Sequence, residues 1–234
     1  MRTITTIAFD ADDTLWHNER NFKLTEARLA EVLADHAGPE HLTERLIAAE
    51  RRNVHHYGYG AKSFTLSTIE TALEVTAGKA PGSVIAEILA AGRDLMRHPV
   101  ETFPGVAETL AELKGAYRLL VVTKGDLFDQ ERKLAQSGID HLFDAVEIVS
   151  EKDAGTYARV FGRHGDGVNR AMMVGNSLKS DVLPALAAGA WAVHVPHALT
   201  WALEHAEEPA GHVRYRRIGQ IGELAKLLAT RSPG

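Results

Sequence analysis

The chain has 234 residues, 45% hydrophobic and 24% charged, with 20 Gly and 8 Pro, a globular composition that excludes a disordered or collagen-like polymer. Its 26 Lys and Arg stand against 31 Asp and Glu, a net charge of −5 with the 12 His neutral, so nothing electrostatic points to nucleic acid or an anionic membrane as main partner. Cysteine is absent, which excludes disulfide frameworks, thiol nucleophiles, Cys-ligated zinc and iron–sulfur clusters, and leaves a cytoplasmic protein as the expectation.

The N-terminal residues Met1 to Ile7 carry no long apolar segment or small-residue cleavage site, so no signal peptide is expected. Residues Arg2 to Asp10 predict a buried strand, with Ile4, Ile7, Ala8 and Phe9 running into an acidic cluster. From Phe22 to about Met96 the period turns helical: Leu24, Leu29, Val32 and Leu33, then Leu42, Leu46 and Ile47, then Phe64 to Leu73, then Val84 to Leu95. Gly38-Pro39, Gly58-Tyr59-Gly60 and Gly78 to Gly82 punctuate this block, which predicts a four-helix subdomain.

After Thr102 to Gly105, helices and strands alternate: helix 106–114, strand 117–122, helix 128–137, strand 145–149, helix 157–164, strand 170–174, helix 180–188 and strand 191–195. Such alternation predicts an α/β fold, a Rossmann-like doubly wound parallel sheet that includes the first strand, with the helical block inserted after it. Val182 to Leu203 lacks Asp, Glu, Lys and Arg and is long enough to span a membrane, but Pro184, Gly189, His194, Pro196 and His197 within it favour a short helix, a strand and a loop. Ser232 to Gly234 reads as a frayed tail.

Open parallel sheets bind ligands beyond the carboxyl ends of their strands, and each predicted strand end here is reactive. The first gives Asp10-Ala11-Asp12-Asp13-Thr14, the second Thr123-Lys124-Gly125-Asp126, the third Glu151-Lys152-Asp153, and the fourth Gly175-Asn176-Ser177 with Asp181 a helical turn on. Taken singly, a D-x-D-x-T cluster is also a solvated turn or calcium loop, a Thr after a strand an N-cap, and a Lys a solvated charge. In order, at successive strand ends, they point to phosphoryl transfer. Asp10 is the candidate nucleophile, since carboxylates form aspartyl-phosphates. Asp12, two residues along an extended chain, is the candidate acid and base. Thr123 and the backbone N–H groups of the Asp10–Asp12 turn can hydrogen-bond a phosphoryl oxygen. Lys152, with a hard cation such as Mg²⁺, offsets the repulsion between nucleophile and phosphate.

These residues resemble the motifs of haloacid-dehalogenase-superfamily hydrolases, the phosphatase-like branch with an α-helical C1-type cap. Asp10 to Leu15 match the first motif, Thr123 the second, Lys152 the third, and Gly175-Asn176-Ser177 with Asp181 the fourth. The resemblance implies a catalytic core from 1–15 and 101–234, a cap from 16–100, Asp10 as nucleophile, Asp12 as acid and base, and Mg²⁺ held by Asp10, the Asp12 carbonyl and the oxygens of Asn176 and Asp181. Two positions depart from the pattern: Asn176 stands where Asp is usual, losing a charge at the metal, and Lys124 follows Thr123 where Asn is common. Lys124 is a candidate for touching substrate or for pointing to solvent.

Dehalogenation needs no acid for a departing halide, so Asp12 favours a small phosphorylated metabolite as substrate. A phosphomutase, a dehalogenase-type hydrolase and a non-catalytic phospho-metabolite sensor are the alternatives. The stretch His55 to Lys62, between two expected helices, joins glycines, aromatics and a cation, which suits a substrate-selecting loop (Tyr59, Lys62) as well as an ordinary turn. Phosphonatases use a cap lysine as a Schiff base, but nothing marks Lys62 as buried. Trp16 to Glu19 and Thr102 to Gly105 are the expected hinges, and His194 and His197 are expected in a loop near the last strand.

Overall fold

The computed structural model describes residues 4–229, so the tail 232–234 lies outside the described residues. By internal contacts the chain divides into two compact units. One holds the chain up to His17, Val100–Lys124 and the chain from Gln130 onward; the other holds Asn18–Pro99 with Gly125–Asp129. The helices are α1 (Glu19–Val32), α2 (Pro39–Tyr57), α3 (Ala61–Val75), α4 (Gly82–Leu95), α5 (Val106–Leu113), α6 (Leu127–Ser137), α7 (Ala154–His164), α8 (Leu183–Ala188) and α9 (Leu224–Ala229).

The first unit is built on a six-stranded sheet of β1 (Thr6–Phe9), β2 (Arg118–Lys124), β3 (Ala145–Val149), β4 (Ala171–Gly175), β5 (Trp191–His194) and β6 (Tyr215–Arg217), in the order β3-β2-β1-β4-β5-β6. Every pairing is parallel, and Thr6 of β1 lies opposite both Arg118 and Ala171. Alternate residues serve opposite faces. Ile7, Phe9, Leu119, Val121, Met172 and Val174 pack with Val106 and Leu110 of α5 and Leu224 and Leu228 of α9. Ala8, Leu120, Val122 and Met173 pack with Tyr157, Val160 and Phe161 of α7 and Ala185 of α8. Burial on both faces is why these strands read as continuous apolar runs.

The second unit closes α1–α4 around its own core, in which Leu29, Leu33, Leu46, Phe64, Ala72, Ile88 and Leu95 are buried. A Cβ added at Gly92 of α4 would stand 2.2 Å from Thr65 Oγ1 of α3, so glycine sets how closely these helices approach.

Several boundaries differ from the sequence expectation. Helix α2 runs through His55, His56 and Tyr57 and α3 begins at Ala61, so Gly58, Tyr59 and Gly60 are all that is loop in the stretch 55–62. Gly58 and Gly60, at φ 72° and 101°, make the break with backbone angles that a side chain disfavours. Strand β6 and helix α9 were not anticipated. Tyr215-Arg216-Arg217 is a three-residue edge strand with no apolar run, and α9 is short and close to the chain end. His194 lies in β5 rather than in a loop, because it continues the buried run of Trp191, Ala192 and Val193. The uncharged stretch 182–203 divides into α8, β5 and the chain after it, and no helix among the described residues is long and apolar enough to cross a membrane.

Candidate active site

Strand β1 delivers Asp10 to the end of the sheet, where its backbone N–H donates to Val174 O at 2.9 Å. The chain then turns sharply, with Leu15 N donating to Ala11 O at 2.8 Å and Asp13 in the left-handed region at φ 58°, which Asp tolerates better than most residues. Trp16, buried at the edge of this turn, bridges Thr102. Thr14 Oγ1 donates to Asp10 Oδ2 at 3.1 Å and accepts from Asn176 N at 3.0 Å, stitching the β1 turn to the β4 turn.

Lys152 follows β3 and is 4% exposed. Its ammonium donates to Asp10 Oδ1 and, at 2.7 Å, to Asp181 Oδ1. Asp181 is reached by a single π turn, Leu178–Val182, in which Val182 N donates back to Ser177 O at 3.1 Å. Pro184 brings no N–H to the Ser180 carbonyl four residues earlier, and the Tyr157 hydroxyl donates there instead at 2.9 Å. The turn directs the Asp181 carboxylate inward, where Oδ2 accepts from Ser177 N at 2.9 Å and no part of the residue is exposed. A Cβ at Gly175 would lie 2.2 Å from that same Oδ2, so the strand end must be glycine for the carboxylate to fit.

Burial raises the Asp10 carboxyl well above the usual carboxylate range and Asp181 adds to the rise, with Lys152 opposing both. Burial also disfavours the Lys152 charge, but Asp10 and Asp181 more than offset it and hold its ammonium proton above the ordinary lysine range. Asp12 has different surroundings. Its Oδ1 accepts from Trp16 Nε1 at 2.8 Å and Lys133 Nζ at 2.7 Å, and its Oδ2 from Lys133 Nζ at 2.8 Å and Gln130 Nε2 at 3.3 Å. Gln130 Nε2 also donates to Thr123 Oγ1 at 2.7 Å, joining two strand ends.

One terminal atom of the Asn176 amide lies 3.2 Å from Asp10 Oδ2, 3.2 Å from Thr14 Oγ1 and 3.1 Å from the Asp12 carbonyl oxygen. As an oxygen it faces acceptors; turned over, its NH₂ donates to them. An amide, a carboxylate and a carbonyl oxygen so grouped are hard ligands of the kind Mg²⁺ takes. Among the described residues no group of three or more His, Asp or Glu gathers to hold a metal, so a cation here would depend on that mixed set.

The sequence model of haloacid dehalogenase-like hydrolases matches residues 4–189. The chain belongs to this family. A curated relative, the glyceraldehyde 3-phosphate phosphatase of Methanothermobacter thermautotrophicus, is 28% identical over 95% of this chain and 98% of its own. A haloacid dehalogenase-like family hydrolase from Xanthomonas campestris superposes with a TM-score of 0.87 at 38% identity, covering 98% of this chain and 93% of that one. The L-2-haloacid dehalogenase of Xanthobacter autotrophicus shares the fold, with a TM-score of 0.68 at 19% identity over 98% of this chain and 100% of that one.

In this member of the haloacid dehalogenase-like hydrolases, the first unit brings together Asp10, Asp12, Thr123, Lys152, Asn176 and Asp181. Lys124 is engaged within the protein: its ammonium bonds Ser180 Oγ at 2.8 Å and Glu204 Oε1 at 2.9 Å, and its side chain is only 10% exposed. A largely buried lysine ammonium needs an anion close by, and the short turn Ala202–Glu204 brings one. Tyr59 and Lys62 belong to the second unit, where Lys62 Nζ pairs with Asp126 at 2.8 Å. His194 Nε2 donates to the Asn176 carbonyl at 3.0 Å, buttressing the β4 turn. Sequence reasoning missed Gln130 and Lys133, whose one signal was their i, i+3 spacing on a helix that follows Thr123.

Proposed function

We propose that the protein is a Mg²⁺-dependent cytoplasmic phosphatase that hydrolyses a small-molecule phosphomonoester through an aspartyl-phosphate on Asp10. The observation that carries this reading is the contrast between its two carboxylates. Asp10 is buried against Lys152, as a nucleophile aimed at a phosphate requires, while Asp12 lies among N–H donors beside Thr123. Halide departure has no use for such a second acid. The phosphatase named among the curated relatives supports the same choice.

In the proposed reaction an Asp10 carboxylate oxygen attacks phosphorus, and the bond to the leaving oxygen breaks as that oxygen takes a proton from Asp12. Asp12 then takes a proton from water, whose oxygen attacks phosphorus and frees inorganic phosphate and Asp10. Thr123 Oγ1 and the N–H groups of the Asp10–Asp12 turn hold phosphoryl oxygens, and Lys152 keeps Asp10 oriented while balancing charge. Asp10, the Asp12 carbonyl and Asn176 would hold Mg²⁺, which when bound neutralises charge on the phosphoryl group. Asp181, whose oxygens are engaged by Lys152 and Ser177, is assigned to positioning Lys152. Selection among phosphomonoesters is assigned to the helical insertion, proposed as the cap, with Tyr59 and Lys62 as the residues to vary.

The test is phosphate release from a panel of phosphorylated metabolites, glyceraldehyde 3-phosphate among them, with Mg²⁺ and with chelator. Release that needs the metal and is lost in Asp10→Asn is expected. Isomerised phosphate without release indicates a mutase, and halide release from 2-haloacids with no phosphate release overturns the reading.

A further inference from the structure

We propose that Gln130 and Lys133 are positioning residues that hold the Asp12 carboxylate where it activates water, so that their loss slows breakdown of the phosphorylated Asp10 more than its formation. This rests on the phosphatase reading above and adds to it a role for α6. Both side chains are buried, Gln130 at 3% and Lys133 at 8% exposure, so they are not solvated surface groups of an amphipathic helix. Three residues apart, they present neighbouring groups on one face of α6. Lys133 Nζ grips both Asp12 oxygens, at 2.7 and 2.8 Å, which fixes the rotation of the carboxylate as a single contact would not. Gln130 uses one amide nitrogen for three acceptors, Asp12 Oδ2 at 3.3 Å, Thr123 Oγ1 at 2.7 Å and Lys124 O at 3.1 Å. The orientation of Asp12 is thereby tied to the hydroxyl assigned to the phosphoryl group.

All the contacts to the Asp12 carboxylate named here come from N–H donors, so it is held as an acceptor, the role it takes toward the attacking water. Leaving-group departure makes a separate demand that substrate choice can remove. An aryl phosphate with an acidic phenol departs without a proton, and Asp12 orientation then matters chiefly in the second half of the cycle.

The experiment is stopped-flow release of the phenol from such an aryl phosphate, with saturating Mg²⁺, for the full-length parent, Lys133→Met, Lys133→Arg and Gln130→Leu. In Lys133→Met and Gln130→Leu we expect a burst of one phenol per enzyme followed by a steady state slowed roughly ten- to a hundredfold, the scale of a misplaced catalytic group. Phosphorylated protein should accumulate in acid-quenched samples, and Lys133→Arg should restore most of the steady-state rate. Burst amplitude counts competent sites, so lost folding lowers the amplitude and is told apart from a slow second step. If Lys133→Met does not fold, Gln130→Leu decides. Equal slowing of burst and steady state, or parent-like turnover without a burst, in whichever of these two variants folds, overturns the proposal. A parent enzyme that releases phosphate without ever carrying it on protein refutes the phosphatase mechanism instead.

Discussion

Replacing Gly175 by alanine isolates the packing on which Asp181 depends. The new Cβ would lie 2.2 Å from Asp181 Oδ2, 2.4 Å from Cγ and 2.7 Å from Cβ. The last of these atoms is fixed to the backbone of the turn Leu178–Val182, so rotating the carboxylate cannot clear it. Overpacking of a rigid site costs about 1–3 kcal/mol. Moving Asp181 aside breaks its bonds from Ser177 N and Lys152, and a buried ion pair broken on one side costs about 3–5 kcal/mol. The movement that relieves the clash is the one that breaks the pair, so the two costs overlap and a loss of about 3–5 kcal/mol is expected. Urea unfolding should show a lower midpoint at unchanged slope. Asp181→Ala removes the two nearest atoms, so Gly175→Ala should cost at least about 1 kcal/mol less in that background. A Gly175→Ala protein within about 1 kcal/mol of the parent, or strict additivity of the two changes, would refute this account of the site.

Phe161 is fully buried beneath the sheet, with its ring stacked 5.9 Å from that of Tyr157, and Phe161→Ala should lower unfolding free energy by about 3–5 kcal/mol; a loss under about 1 kcal/mol would mean the core is not packed as described. Mg²⁺ at a hundred times its dissociation constant should stabilise the fold by about 2.7 kcal/mol, read as a rise in melting temperature that chelator reverses. Asn176→Leu should abolish most of that rise, and an unchanged rise would place the metal elsewhere. His164 hydrogen-bonds Glu147 and holds its carboxyl below the usual glutamate range. That stabilisation is present above the unfolded glutamate range and is lost as pH falls through the lower folded value. Glu147→Gln should therefore be slightly less stable than the parent at neutral pH and equal to it in acid, and a gap that persists in acid would contradict the pairing.

The sheet was legible because its strands are buried on both faces: runs such as Leu119 to Val122 and Met172 to Val174 carry the signal without neighbours. Strand β6 lacks such a run, and its place beside β5 is a tertiary fact. At the site, Asp10, Lys152 and Asp181 could be picked out because each follows a strand whose end could be located, and Thr123 because it lies in the last residues of such a strand. Lys124 shows the limit. Its partner Glu204 is eighty positions away in a short turn with no periodic signal, and only the fold brings them to 2.9 Å. Gln130 and Lys133 were hidden for a different reason, since a polar pair on a helix reads as a solvated face until burial is known. The length of α2 was misjudged because His55, His56 and Tyr57 carry no strong helical preference, and the glycines after them decide where the helix stops.

The most direct test of the central claim is to mix the enzyme and Mg²⁺ with a substrate found by the metabolite screen, quench in acid within a single turnover, and map the phosphoryl group by peptide mass. One phosphoryl group is expected on the peptide containing Asp10, lost on incubation at neutral pH and absent from Asp10→Asn. Phosphate released at full rate with no phosphorylated peptide, or with the phosphoryl group on another residue, would contradict the claim.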